Sequence, residues 1–246
     1  MTFKMKYEII PRYLPGTVTA PSVRRSCLPI HKVHFMVAHD TGNPSSTASG
    51  NVAYYTRSAY ERDQEASAHL FVDDKEIIEC IPFLTSDSPE KAWHVQYNTS
   101  IDNMIYGFDA NDAAGGIELC YGGSINLSEA YTRYVWVMAY ACYRFGLDPV
   151  KHITGHYILD PTRKVDPKNA FSLLCISFDD FIQDVASEYR ECTMEEQKML
   201  EKGVAETIIN TWISPAWFKA NGNNEQQDYL HWLANELRKA AGTPND

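Results

Sequence analysis

The sequence has no run of apolar residues approaching the roughly 18–20 that a membrane-spanning helix needs, which argues against membrane insertion. It has no basic excess either: Lys and Arg number 22 against 32 Asp and Glu, a formal net charge of −10. Nucleic-acid binders need a basic face, and capture by anionic lipid needs cations, so neither partner is expected. There is no CxxC pair. The six cysteines, at positions 27, 80, 120, 142, 175 and 192, are scattered, unlike the framework of a small disulfide-rich module, and most of them read as buried thiols. No cysteine is singled out beside a histidine as a hydrolase nucleophile. Repeats, low-complexity tracts and charge runs are missing as well. The opening "MTFKMKYEIIPRYLPG" has lysines but no long apolar stretch, so no signal peptide is expected.

What remains is an ordinary globular composition, 44% hydrophobic and 22% charged over 246 residues, enough for one large domain or one domain plus an appendage. "VHFMVAHDT" (33–41) reads as a buried strand ending in His39. Residues 47–63 have helical spacing. "SAHLFVDDKEIIECI" (67–81) reads as two strands about a polar turn, and "GGIELCYGG" (115–123) as a third strand bracketed by glycines. Residues 128–145 form the clearest helix, with Gly146 as its stop. "HITGH" (152–156) reads as a short edge or terminal strand, and 177–189 as another helix. The stretch 82–114, rich in turn residues, reads as mostly loop. This alternation predicts an α/β fold, a central mixed β-sheet flanked by helices.

A break falls near residue 190, giving an expected main domain over 1–189 and a small helical C-terminal module over 190–246. Thr193 and Glu196 suggest a capping box at its start. "SPAWF" (214–218) and "NGNN" (221–224) read as turns, and Leu230, Leu233 and Leu237 mark a last helix. The aromatics Trp212, Trp217, Phe218, Tyr229 and Trp232 fit a binding surface, the module's own core, or a homodimer contact.

Three candidate metal ligands stand out: His39 and His156 at strand ends, and Asp166 in the loop after the second. Catalytic zinc takes three protein ligands and keeps a position for water; two histidines and a carboxylate suit it. Spacing alone does not select them, since eight histidines and 32 acids form many such triples, and Asp160 competes with Asp166. His152 and His156 are four apart, as in HExxH helices. On a strand, however, they would lie about 13 Å apart, too far to share an ion. His31 and His34 lie in a polar lead-in and are expected to face solvent. Glu118 is a carboxylate in an apolar strand: it either faces solvent by alternation or lines a site, because burial without a partner is costly. Lys164 is either a solvated loop residue or a charge for an oxyanion. Besides His69, the pair Trp93–His94 offers a stacking wall and a hydrogen-bond donor; alternatively Trp93 plugs the core and His94 is exposed.

Taken in order, "VAHDT", "SAHLFVDDKEIIECIP", "AWH", "GGIELCYGG" and "TGHYILDPTRKVDP" resemble the zinc-dependent type-2 N-acetylmuramoyl-L-alanine amidases, related to phage lysozyme-type amidases and peptidoglycan recognition proteins, over roughly residues 30–185. The resemblance implies that His39, His156 and Asp166 bind Zn2+, that Glu118 is the general base, that Lys164 stabilises the transition state, and that His69, Trp93 and His94 bind substrate. Many phage members carry a cysteine as third ligand; the aspartate ten residues after His156 looks more like the cytoplasmic muropeptide amidases. Val95-Gln96 after "AWH", Lys168 after "DP" and a long 97–114 loop depart from the pattern. The implied function is hydrolysis of the bond between N-acetylmuramic acid and L-alanine in bacterial peptidoglycan by a phage-type endolysin, cytoplasmic until lysis. The alternatives are a non-catalytic peptidoglycan-binding protein and a muropeptide-recycling amidase.

Overall fold

A computed structural model describes residues 2–97, 99–194 and 200–244. The chain divides into two compact units, residues 1–194 and 195–246. In the first, six strands form one sheet: β1 (Ile9–Pro11), β2 (Phe35–Asp40), β3 (Leu70–Val72), β4 (Ile77–Glu79), β5 (Ala114–Leu119) and β6 (Ile153–Gly155), in the order β1-β4-β3-β5-β2-β6. Among the described strands the β3–β4 hairpin is antiparallel and the other pairings are parallel. The helices are α1 (Ala48–Arg57), α2 (Ile101–Tyr106), α3 (Ala110–Ala113), α4 (Leu127–Phe145), α5 (His156–Leu159), α6 (Lys168–Leu174) and α7 (Phe178–Thr193). The mixed sheet with flanking helices is the expected architecture.

Alternation along the central strands separates two faces. Met36 and Ala38 of β2, and Ile117 and Leu119 of β5, enter the large core, which also contains Tyr134, Val135 and Met138 of α4 and Phe181 and Val185 of α7. Phe35 and Val37 of β2 and Ala114 of β5 instead join a small cluster with Val95, Ala110 and Leu159. His39 continues the second series, as do Gly116 and Glu118, so the polar residues at these strand ends lie on the face opposite α4. Helix α4 is delimited by the Asn126 side chain, which accepts from the Glu129 N–H, and by Gly146 at φ +66°, a left-handed stop that suits glycine.

Several local expectations need correction. The 82–114 stretch is mostly loop, as expected, but also holds the short helices α2 and α3. The N-caps Thr47 and Asp109 hold the starts of α1 and α3, and such a side-chain cap can start one helical turn where no long apolar period exists. β1 and α6 were missed because each is too short to show a period. Thr193 ends α7 rather than opening a new helix; its proposed partner Glu196 lies outside the described residues.

The second unit contains α8 (Lys202–Ile208), a π-helical turn (Ile209–Ile213), α9 (Ser214–Lys219) and α10 (Asn224–Ala240). "SPAWF" is therefore helical, since proline is tolerated in a helix's first turn. The core of this unit is aliphatic: Ile209, Ile213 and Ala234, packed by Ile208, Leu230, Leu233 and Leu237. Trp212, Phe218, Tyr229 and Trp232 are exposed, and Trp217 is at the edge of exposure. The aromatics thus do not fill this core. No helix among the described residues is long and apolar enough to cross a membrane.

Glu79 supplies a structural anchor at the end of β4. Its fully buried carboxylate accepts from the N–H groups of Phe83, Leu84 and Thr85 (2.9, 2.7 and 3.0 Å), and from the hydroxyls of Thr85 (2.8 Å) and Tyr13 (3.2 Å). Removing the acceptor strands buried donors. Glu79→Ala should lower unfolding free energy by on the order of 3 kcal/mol, read as a lower urea midpoint at unchanged slope.

Candidate metal centre and cleft

Strand register assembles the site. β2 and β5 align His39 with Glu118, and β2 and β6 align Ala38 with Gly155, so His156 emerges beside His39. Open parallel sheets present their polar side chains at such carboxyl ends. Asp166 arrives through the following loop. α5 makes one turn, closed by the Asp160 N–H on the His156 carbonyl (2.9 Å), and the Lys164 N–H then bonds the Asp160 carbonyl (2.9 Å). The Tyr157 N–H donates to the Asp166 carbonyl (3.0 Å), joining the far end of the loop to its start. Asp40, next to His39, fixes what comes after: its carboxylate accepts from Asn169 Nδ2 (3.0 Å) and the Ala170 N–H (3.2 Å) at the start of α6. Behind β2, the Tyr134 hydroxyl lies 3.0 Å from the His39 backbone nitrogen.

The result is a buried triad. Asp166 Oδ2 lies 2.9 Å from His39 Nδ1 and 3.0 Å from His156 Nδ1. One ligand atom from each residue falls within 4.8 Å of the others, an arrangement able to hold a metal ion. Two imidazoles and one carboxylate form a donor set that suits zinc. His156 Nε2 is buried without a partner. Burial pushes His39 down to about 4, partly opposed by Asp166. For Asp166, burial acts upwards, but His156 and His39 outweigh it and hold the carboxyl well below the usual range. The site is thus disposed towards a neutral imidazole and an ionised carboxylate, the forms that bind metal.

Asp160 takes no part in this group; it is buried, closes the turn and pairs with Arg163. His152 accepts at Nδ1 from the Asp148 N–H (2.9 Å), a structural bond. His31 is exposed, but His34 is half-buried and stacks on Phe108 at 3.8 Å, correcting the expectation that it faces solvent.

Beside the triad opens a cleft of about 790 Å³, lined by His156, Arg163, Lys164, Trp93, His94 and Tyr97 among others. Trp93 is half-buried in this wall rather than a core plug, and His94 is buried rather than exposed. Lys164 also lines the cleft. Glu118 is half-buried, with Oε2 inaccessible and unpartnered. Burial, then the charges of Asp166 and Asp40, push its carboxyl well above the usual range, against Lys164. His69 does not line the cleft. It is fully buried, with Nδ1 accepting from the Gly116 N–H (2.9 Å) and Nε2 placed 2.9 Å from the Glu90 carbonyl. Both ring nitrogens are occupied by backbone, which corrects its expected role in substrate binding.

Sequence reasoning missed the opposite wall, formed by Pro21, Ser22, Val23, Ser26 and Leu28. Two arginines pin this segment. Arg24 is almost fully buried; its guanidinium lies 4.1 Å from the Tyr55 ring and donates to Ser58 Oγ (2.9 Å) and Gln64 Oε1 (3.2 Å). Arg25 pairs with both oxygens of Glu90 at 2.8 Å. Also missed was Asn111, whose Oδ1 accepts from the N–H groups of His94 and Val95. An "RR" pair in a polar lead-in and a single asparagine in a four-residue helix carry no periodic signal.

Burial lowers His69 from the ordinary 6.5 to about 4. Unfolding restores the ordinary value, so as pH falls the unfolded chain takes up a proton that the folded chain refuses. The stability involved, roughly 3 kcal/mol, is full above the ordinary value and is lost as pH falls towards the folded one. In the folded protein the His69 ring resonances should hold their neutral shifts down to about pH 5. A midpoint near the ordinary histidine value contradicts this.

A family model described as N-acetylmuramoyl-L-alanine amidase (Amidase_2) matches residues 29–169, more than half of the chain. The N-acetylmuramoyl-L-alanine amidase BlyA of Bacillus subtilis (strain 168) is 33% identical over 153 residues, covering 58% of this chain but 38% of that protein. The chain thus matches well under half the length of this relative. The fold is similar to the catalytic domain of XlyA (TM-score 0.55, 20% identity, 72% of this chain and 99% of that one). It is also similar to the Staphylococcus aureus hydrolase AmiA, solved in complex with its ligand (TM-score 0.57, 21% identity, 76% and 85%). With the sheet, the triad and the cleft described above, the chain belongs to the Amidase_2 family of N-acetylmuramoyl-L-alanine amidases.

Proposed function

We propose that the protein hydrolyses the amide bond between the lactyl group of N-acetylmuramic acid and L-alanine in bacterial peptidoglycan, with zinc held by His39, His156 and Asp166. The observation that carries this reading is the convergence of those three buried donors beside a cleft that also takes in Lys164. When bound, zinc supplies a polarised carbonyl and a water acidified towards neutral pH. Glu118 accepts a proton from the attacking water and delivers it to the departing nitrogen. Its raised pKa suits both halves of that transfer, because a shuttle works best near the operating pH. The Lys164 ammonium offers positive charge to the oxyanion of the tetrahedral state. One water is consumed, the C–N bond breaks, and the products are a lactyl carboxylate and a free alanine amine. Trp93 offers a flat apolar face to the substrate in the cleft wall.

Digestion of purified peptidoglycan should release new amino groups without new reducing ends, and a chelator should abolish it. Glu118→Gln should lower turnover by roughly 100-fold or more while zinc still binds. Chelator-insensitive release, or wild-type turnover of Glu118→Gln, contradicts the mechanism.

We further propose that the protein acts as an endolysin, held in the cytoplasm until lysis, and that residues 190–246 form a wall-binding module. The exposed Trp212, Tyr229 and Trp232 support this, since aromatic rings stack on sugars and these are not needed by the module's core. A homodimer contact is the competing use of the same surface. The aspartate ligand and Lys164 also fit a muropeptide-recycling amidase, which prefers soluble fragments to intact wall. Trp212→Ala combined with Trp232→Ala should reduce sedimentation of the full chain with intact walls at unchanged turnover of a soluble muropeptide. Unchanged sedimentation refutes the module's role.

A further inference from the structure

His94 has little exposed surface, and both of its ring nitrogens turn towards the protein. Nε2 lies 3.3 Å from the Ala114 carbonyl oxygen, and Nδ1 lies 3.1 Å from His39 Nε2. A carbonyl can only accept, so His94 Nε2 carries the hydrogen. An imidazole with its one N–H directed at that carbonyl presents Nδ1 as an acceptor. His39 Nε2 must donate to it. A neutral His39 then holds a lone pair at Nδ1, directed at the Asp166 carboxylate oxygen 2.9 Å away. Two acceptors face one another across a gap that a cation bridges.

We propose that His94 is a positioning residue for the metal centre: the chain Ala114 C=O, His94, His39 fixes the His39 tautomer that presents Nδ1 to the ion. This rests on the zinc reading above and replaces the role of His94 as a substrate ligand. It acts through His39 and does not touch the reacting atoms. Outer hydrogen bonds of this kind set ligand orientation and basicity.

The surroundings hold the His94 ring in register. Its backbone N–H donates to Asn111 Oδ1 (2.9 Å), which also accepts from the Val95 N–H (3.0 Å). Gly116 leaves the space the ring occupies: a Cβ there would lie 2.6 Å from His94 Cγ. His69 stands edge-on at 5.6 Å between ring centroids, itself tied to the Gly116 N–H. A glycine in the strand, a buried histidine and an asparagine of α3 thus serve one imidazole.

The test is zinc affinity, measured by competition with a chromophoric chelator on the full chain. His94→Phe keeps the packing but removes the acceptor and should weaken zinc binding by roughly 10–100-fold. His94→Asn places an amide oxygen near the Nδ1 position and should stay within a few-fold of wild type. Urea unfolding of the metal-free variants reads any damage to the fold separately. In zinc-loaded wild type, nitrogen-15 NMR of the imidazoles should show the hydrogen on Nε2 of both His39 and His94, a result that needs no variant. Wild-type affinity in His94→Phe, equal loss in Phe and Asn, or a hydrogen on Nδ1 of either ring overturns the proposal. Failure of the wild type to bind zinc overturns the metal reading itself, and this proposal with it.

Discussion

Everything at the site depends on the parallel pairing of β2 with β5 on one side and β6 on the other. Side chains alternate with a period of two, so a slip of one residue would turn His39 into the α4 core and bring Ala38 or Asp40 to the cleft face. The register is held from the core side. Met36, Ala38, Ile117 and Leu119 bury on one face, and that burial fixes which residues must emerge on the other. The apolar pattern of three short strands therefore sets the position of the polar residues.

A buried polar face brings a second requirement, because each inward nitrogen or oxygen must find a partner. The fold meets it with backbone and side-chain groups. Tyr134 reaches through to the His39 backbone, Asn111 holds the backbone of His94, and Asp40 ties the start of α6 to the end of β2. The atoms left without partners near the site among the described residues, His156 Nε2 and Glu118 Oε2, belong to residues with roles in the proposed chemistry. Stability and reactivity are thus separated at the level of single atoms.

Much of this was legible in the sequence. The long amphipathic run of α4, the β3–β4 hairpin and the apolar strand before His39 carry strong periodic signals, and all three are present. The ligand candidates came from residue type at strand ends, but spacing could not choose between Asp160 and Asp166. That choice is made by the α5 turn and the Tyr157–Asp166 backbone bond, neither of which has a periodic signature. His69 misled for a related reason. A histidine that bonds backbone or another histidine looks, in a string of letters, the same as one that meets a substrate. Gly116 was visible as strand punctuation, yet its need comes from a ring contributed by another segment.

The wall formed by Pro21, Ser22, Val23, Ser26 and Leu28 lies upstream of the residues that carry the family signature. Arg24 and Arg25 fasten it to Ser58, Gln64 and Glu90, away from the strand register that sets the ligands. One wall of the cleft and its reactive residues therefore sit on separate stretches of chain. A lineage can exchange one bank of the cleft, and with it the substrates that fit, while inheriting the reactive residues unchanged.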